Sequence, residues 1–257
     1  MKIIKTVVLA SSLVSPVAFG QTCEFSREIN FDVDAGGLAG VELDMGAGYL
    51  NIGPAENDQI SVRARACAST RGRLESMDLL QERRGDRLSI DSEIEDTVSF
   101  SIFRSNDYAY IDVDMHVPAG LLLEIEDGSG DIRIVDVVAD LRIEDGSGEI
   151  NILRHTGSVR IDDGSGSIDV DGLTGNLRVV DGSGDIDARN IVGNIHIPAD
   201  GSGSIDIGDV EGDVSIDDDG SGDISVHNIS GNLSVGDTGS GGVNVDDIRG
   251  TVRMHDR

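Results

Sequence analysis

The sequence predicts an all-β fold: a parallel β-solenoid (β-helix) of about seven 18–19-residue rungs, with a β-rich N-terminal cap. Three observations predict it. Gly-Ser-Gly begins at Gly128, Gly146, Gly164, Gly182, Gly201, Gly220 and Gly239, at intervals of 18, 18, 18, 19, 19 and 19 residues. Aliphatic residues recur at fixed offsets from that motif, in pairs separated by one residue, the period of a strand with one buried face. Aromatic residues are only 3% of the chain and nearly absent from the repeats, which suits a narrow interior filled by branched aliphatics. A period of this length is the signature of stacked units, none of which buries its apolar face alone.

Taken in order, the chain opens with Met1-Lys2-Ile3-Ile4-Lys5, an uncharged apolar run from Thr6 to Phe19, and small residues at Ala18 and Gly20. This reads as a signal peptide over residues 1–20, too short and wrongly flanked for a membrane span. A lipid anchor on Cys23 is disfavoured, because Thr22 stands where a small residue is wanted. Residues 21–120 form a β-rich cap with degenerate first rungs. Ile29–Val33 alternates as a strand, and Val41–Ile52 repeats the later motif around Gly46-Ala47-Gly48. Further strands are read at Ile60–Ala66, Leu88–Ile90, Val98–Ile102 and Tyr110–Val117. Arg73–Arg84 reads either as a short helix or as one arm of a hairpin turning at Gly85-Asp86. Cys23 and Cys67 are the only cysteines, and in an exported chain they are expected to pair.

Residues 121–257 are the regular array, continuous with the cap in one domain. Counting from the first glycine of each motif, the fourth and sixth positions are aliphatic, as in Ile150 and Ile152. So are the thirteenth and fifteenth, as in Val159 and Ile161, and the ninth, where His155 is the one polar residue. The eleventh is glycine from Gly157 to Gly250, with Ala139 in the first copy, and implies a second tight corner. Each rung thus offers two short strands, or three. The extra residue of the longer repeats falls in Pro198-Ala199-Asp200 and Asp217-Asp218-Asp219, where a corner is expected to absorb it.

The net charge of −28 argues against a nucleic-acid footprint and against electrostatic attachment to anionic lipid. Asp127, Asp145, Asp163, Asp181, Asp200 and Asp219 precede the turns and are expected to cap them. Together with Asp131, Glu149, Asp185 and Asp223 just after the turns, they are the alternative calcium ligands; the primary expectation is no metal and no cofactor. The acids form a lattice with no distinct local constellation, and no nucleophile elbow or zinc spacing is present, so no catalytic residue is assigned. The residue between the thirteenth and fifteenth positions points outward and reads Arg142, Arg160, Arg178 and His196 in successive copies. It forms a basic stripe able to hold carboxylate or phosphate groups of a glycan, unless Asp140, Glu144 and Asp162 neutralise it.

Repeated (Asp)-Gly-Ser-Gly-(Asp)-Ile-x-Ile, after a strand ending in Val117-Pro118 and a signal peptide, resembles the bacterial "putative adhesin" domain family of β-solenoids. The resemblance covers essentially the whole mature chain and implies an exported, non-enzymatic envelope protein in the periplasm or at the cell surface. The expected function is a scaffold or adhesin-like binding surface for an envelope glycan or another protein. A calcium-stabilised polysaccharide-binding solenoid is the alternative, with a glycan-active β-helix enzyme behind it. The last rung, near Met254-His255-Asp256-Arg257, is expected to offer an open edge for self-association.

Overall fold

The computed structural model describes residues 23–94 and 107–255. The signal peptide expected over residues 1–20 and the strand expected at Val98–Ile102 lie outside the described residues. The N-terminal part contains β1 (Phe25–Asp34), β2 (Gly40–Ala47), β3 (Leu50–Pro54), β4 (Gln59–Ala68), helix α1 (Arg71–Glu75), β5 (Met77–Arg84), β6 (Arg87–Ile94) and β7 (Ala109–Val117). The array runs through β8 (Leu122–Ser129), β9 (Ile132–Val135), β10 (Asp140–Asp145), β11 (Ile150–Thr156), β12 (Val159–Asp163), β13 (Ile168–Thr174), β14 (Leu177–Asp181) and β15 (Ile186–Val192). It ends with β16 (Ile195–Asp200), β17 (Ile205–Glu211), β18 (Val214–Asp218), β19 (Ile224–Ile229), β20 (Leu233–Asp237), β21 (Val243–Ile248) and β22 (Val252–Met254).

The strands stack into two sheets of 11. Odd-numbered strands from β9 onward form sheet A, even-numbered strands from β8 onward form sheet B, and every pair in the array is parallel, in register except for one shift between β14 and β16. Each chain turn therefore adds one strand to both sheets, as in a parallel β-solenoid. The aliphatic positions fill the space between the sheets, and Ile132, Ile150, Ile168, Ile186, Ile205 and Ile224 are all at most 1% exposed.

Glycine is demanded by the stacking. At Gly148, whose φ is 149°, a Cβ atom would overlap the carbonyl oxygen of Gly130 one rung below. The same clash recurs at Gly166 and Gly184, and at the other corner where Gly175 sits over Gly157. A side chain at any of these points would push two rungs apart.

The bend inside each sheet A arm comes from a residue that the motif count passed over. Position eight reads Asp136, Arg154, Gly172, Asn190, Asp209, Asn228 and Asp247, each with φ between 50° and 78°. Asp, Asn and Gly tolerate this left-handed conformation best. It turns the ninth residue inward after the sixth. The array thus has two sheets per rung, with the first arm kinked.

The extra residue of the longer repeats is handled differently from the expectation. It does not enter the corner but forms a bulge in β16, where the register against β14 shifts between Arg178 and Val180. The bulge keeps Asp200 level with Asp181, and later rungs of the same length stack on it without further shift. A bulge at a strand end restores the inward–outward parity that a simple insertion would invert.

The cap begins as parallel rungs and ends in antiparallel strands. The β2–β3 pair is a true rung, stacked on β8 and β9, and Ala47 lies level with Ser129 as the degenerate motif implies. Strands β6 and β7 form the next rung outward, parallel to β2 and β3. Beyond them, β4 and β1 add antiparallel strands to sheet A, and β5 does so to sheet B. Arg73–Arg84 contributes both to α1, capped by Thr70, and to β5, an arm of the hairpin that turns at Gly85. Cys23 and Cys67 are disulfide-bonded, with Cα atoms 5.6 Å apart, tying the chain just before β1 to β4. Closing that loop of 44 residues stabilises the cap by roughly 3–4 kcal/mol in the chain-entropy model.

Gly148→Ala is expected to lower stability by about 3 kcal/mol in denaturant unfolding, since neither backbone can retreat without breaking the ladder. Ser165→Ala, one residue from a glycine of the same turn type, is expected to change it by less than about 0.5 kcal/mol. Equal losses at the two sites would show that the glycine contact is not what limits the stacking.

Candidate functional site: the stacked polar columns

In-register stacking converts each polar position of the repeat into a column. The outward middle residues of sheet B line up as Glu124, Arg142, Arg160, Arg178 and His196, each level with the next. The stripe read from the sequence is therefore one row of side chains on one face. Its expected neutralising partners do not pair with it. Asp140 instead accepts the Ser158 N–H at 2.8 Å, and Glu144 and Asp162 lie two residues along the strand, about 7 Å away.

The partner of Arg142 is Glu124, on the strand before, at 2.6 Å, and Glu124 is also held by Arg87. Partial burial pushes the Glu124 carboxyl up, but the two guanidinium groups outweigh it and leave the group below its ordinary value. Arg178 donates to His196 Nδ1 at 2.8 Å, and His196 Nε2 donates to Asp217 at 2.8 Å. The His196 hydrogen bond holds the Asp217 carboxyl low. Between these two arrangements Arg160 is exposed and makes no ion pair among the described residues. Beside Arg142, Glu42, Asp44, Asp91, Glu126 and Glu144 line a shallow acidic groove of about 410 Å³.

The acids on the two sides of the Gly-Ser-Gly turn behave differently. Those after it are exposed and reach to the next rung: Asp131 accepts from Glu149 N at 3.1 Å, Asp185 from Ser204 N at 2.8 Å and Asp223 from Gly242 N at 2.9 Å. A matching ladder starts sheet B strands at position twelve, where Asp140, Asn176, Asn194, Asp213 and Asn232 each accept the N–H one rung on. Position twelve was recognisable from its run of Asp, Asn, Ser and Thr after the corner glycine.

The acids before the turn point inward. Asp127, Asp145, Asp163, Asp181, Asp200 and Asp219 are between 0% and 7% exposed. Oδ1 of Asp145, Asp163 and Asp181 accepts the serine N–H of the following turn at 3.1–3.2 Å, which is the expected cap. Oδ2 of those three residues, and both oxygens of Asp127, Asp200 and Asp219, are buried without a hydrogen-bond partner. Burial first, then the neighbouring carboxylates, push Asp127 and Asp181 up to about 7 and Asp145 and Asp200 to about 6. Burial also raises Asp163 and Asp219. The calcium alternative joined this inner column to the outer one. Among the described residues no three His, Cys, Asp or Glu side chains converge as a metal-ligand set.

His155 fills its aliphatic column at 1% exposure, level with Leu173, and its Nε2 lies 2.8 Å from the Ala139 carbonyl. Burial lowers its pKa, so the imidazole is neutral and donates that bond, while Nδ1 is unpartnered. On the last described rung Val252 and Met254 are exposed, whereas Leu233 and Val235 directly beneath are 1% exposed. No described helix is long and apolar enough to cross a membrane.

These features define a β-solenoid repeat protein whose polar groups form surface and interior columns. Comparison places it further: the chain belongs to the family described as "Putative auto-transporter adhesin, head GIN domain", whose model matches residues 74–245. A crystal structure of a "putative lipid binding protein" from Parabacteroides distasonis is 16% identical, covers 90% of this chain and 96% of its own, and superposes with a TM-score of 0.51. A "putative cell adhesion protein" from Clostridium sporogenes is 14% identical over 86% of this chain and 99% of its own, with a TM-score of 0.39. A "putative adhesin" from Parabacteroides merdae is 12% identical over 90% and 96%, with a TM-score of 0.30. Among curated proteins, no sequence matches this one.

His155→Leu, which restores the aliphatic column, is expected to leave stability unchanged or raise it by up to about 1 kcal/mol at pH 7, because it removes a buried unpaired nitrogen together with one hydrogen bond. A loss above about 2 kcal/mol in equilibrium unfolding would mean that the Ala139 contact matters more than the column.

Proposed function

We propose that this chain is an exported, non-enzymatic, adhesin-like binding protein, and that the cationic row on sheet B is its contact surface. The family supports the adhesin-like part of the reading. The disulfide fits an oxidising compartment outside the cytoplasm, either the periplasm or the cell surface.

One observation carries the assignment of the surface. Arg142, Arg160 and Arg178 stand directly level on neighbouring parallel strands, so like charges repeat about 4.8 Å apart. Like charges opposite one another across strands are destabilising. Arg160, between the two, makes no ion pair among the described residues to offset this. A polymer bearing carboxylate or phosphate groups at sugar-unit spacing would relieve the repulsion and receive bidentate guanidinium contacts. Acidic ladders beside the row would repel it everywhere else, which fixes where on the molecule it lies.

The triple variant Arg142→Ser, Arg160→Ser, Arg178→Ser is expected to lose retention on an immobilised polyuronate by at least about tenfold, with unfolding stability changed by less than about 1 kcal/mol. Retention by the unaltered protein is expected to fall steeply with added salt. Unchanged retention by the variant would end this reading of the surface.

A further inference from the structure

We propose that the buried aspartate column is a proton-binding ladder, in which carboxyls one rung apart share protons and hold the solenoid closed in mildly acidic surroundings.

The column is built by strand parity. Leu141, Ile143 and Asp145 are successive inward residues of β10, and Val159, Ile161 and Asp163 repeat the pattern on β12. Successive aspartates are level with one another from Asp127 to Asp219, and the β16 bulge preserves the alignment. Met45 lies level with Asp127 and closes one end of the column. An ionised carboxylate taken out of water needs hydrogen bonds or a countercharge. Here Oδ2 of Asp145, Asp163 and Asp181 has neither, and at Asp127, Asp200 and Asp219 only backbone N–H groups of the following turn oppose the burial, without closing a well-formed hydrogen bond.

A proton taken up by one of two level carboxyls removes one of two like charges, so neighbouring carboxyls titrate together, as in paired acidic sites elsewhere. The charges acting on the column offer no other remedy. Besides one another, the six aspartates feel Asp131, Asp162, Asp185 and Asp218, all carboxylates. The inward residues next to them along the chain, such as Ile143 and Ile150 around Asp145, are aliphatic.

The sign of the pH dependence follows. A carboxyl raised in the folded protein stabilises it fully below its unfolded value near 3.9, and that stability is lost as pH rises through 6 to 7. For one group at about 7, the unfolding constant rises about thirty-fold between pH 5.5 and 8.5. His155 acts in the opposite sense below about 6.5, being held neutral by burial, but it is common to all variants compared.

The test is equilibrium urea unfolding of the full chain at pH 5.5, 7 and 8.5. The unaltered protein is expected to be most stable at 5.5. Asp181→Asn, which keeps an oxygen for the Ser183 N–H, is expected to flatten the profile by at least about tenfold in the unfolding constant and to be the more stable protein at 8.5. Asp223→Asn, in the exposed column and not among the carboxylates acting on the buried one, removes the same charge and is expected to leave the slope unchanged. Should Asp181→Asn fail to fold, the infrared carbonyl band of a protonated carboxyl in the unaltered protein at pH 7 decides the matter. Absence of that band, equal flattening by Asp223→Asn, or recovery of stability at pH 8.5 on adding calcium or sodium alone would overturn the proposal.

Discussion

A carbonyl oxygen on each rung occupies the space that a side chain would need on the next. That contact, repeated from Gly130 under Gly148 to Gly222 under Gly241, sets how closely the rungs approach. Everything else in the array inherits the spacing. Backbone pairing between rungs is in register because the corners are, and the aliphatic columns close into a continuous core because the strands sit one hydrogen bond apart. Gly-Ser-Gly is thus first a packing requirement, and its regularity in the sequence is the trace of that requirement.

Parallel, in-register stacking has a second consequence: it places like beside like. For isoleucine this is favourable, because each rung buries the face of its neighbour. For charged residues it is costly, and the molecule meets the cost in several ways. At the kinked corner, Arg154 follows Asp136 and pairs with it at 2.6 Å, and Asn228 follows Asp209 and donates to its carboxylate. At the strand starts, Asp and Asn accept the next rung's N–H, so a column of acids becomes a column of caps. Among the described residues the cationic row and the buried aspartates are two columns where this offsetting is incomplete.

Much of the candidate surface was legible in the sequence. The outward parity of Arg142, Arg160, Arg178 and His196 follows from alternation alone, and their adjacency follows from the equal 18-residue spacing. Their partners were not legible. Glu124 lies before the first full repeat, and Arg87 reaches it from the cap, so no periodic argument connects them. The antiparallel strands of the cap were seen singly, but the insertion of β2–β3 between β8–β9 and β6–β7 is a non-local pairing that short-range patterns do not encode.

By itself the sequence determined the columns: which residues repeat, at what period, and which of them alternate in and out. Periodicity is local information, and a stacked fold writes it many times over. Only the tertiary structure decided what each column faces. Alternation that puts Ile143 inward puts Asp145 inward too, yet a turn aspartate reads as solvated until the opposing wall is seen to bury it. Absolute environment depends on contacts between segments far apart in the chain, and those exist only once the rungs have closed on one another.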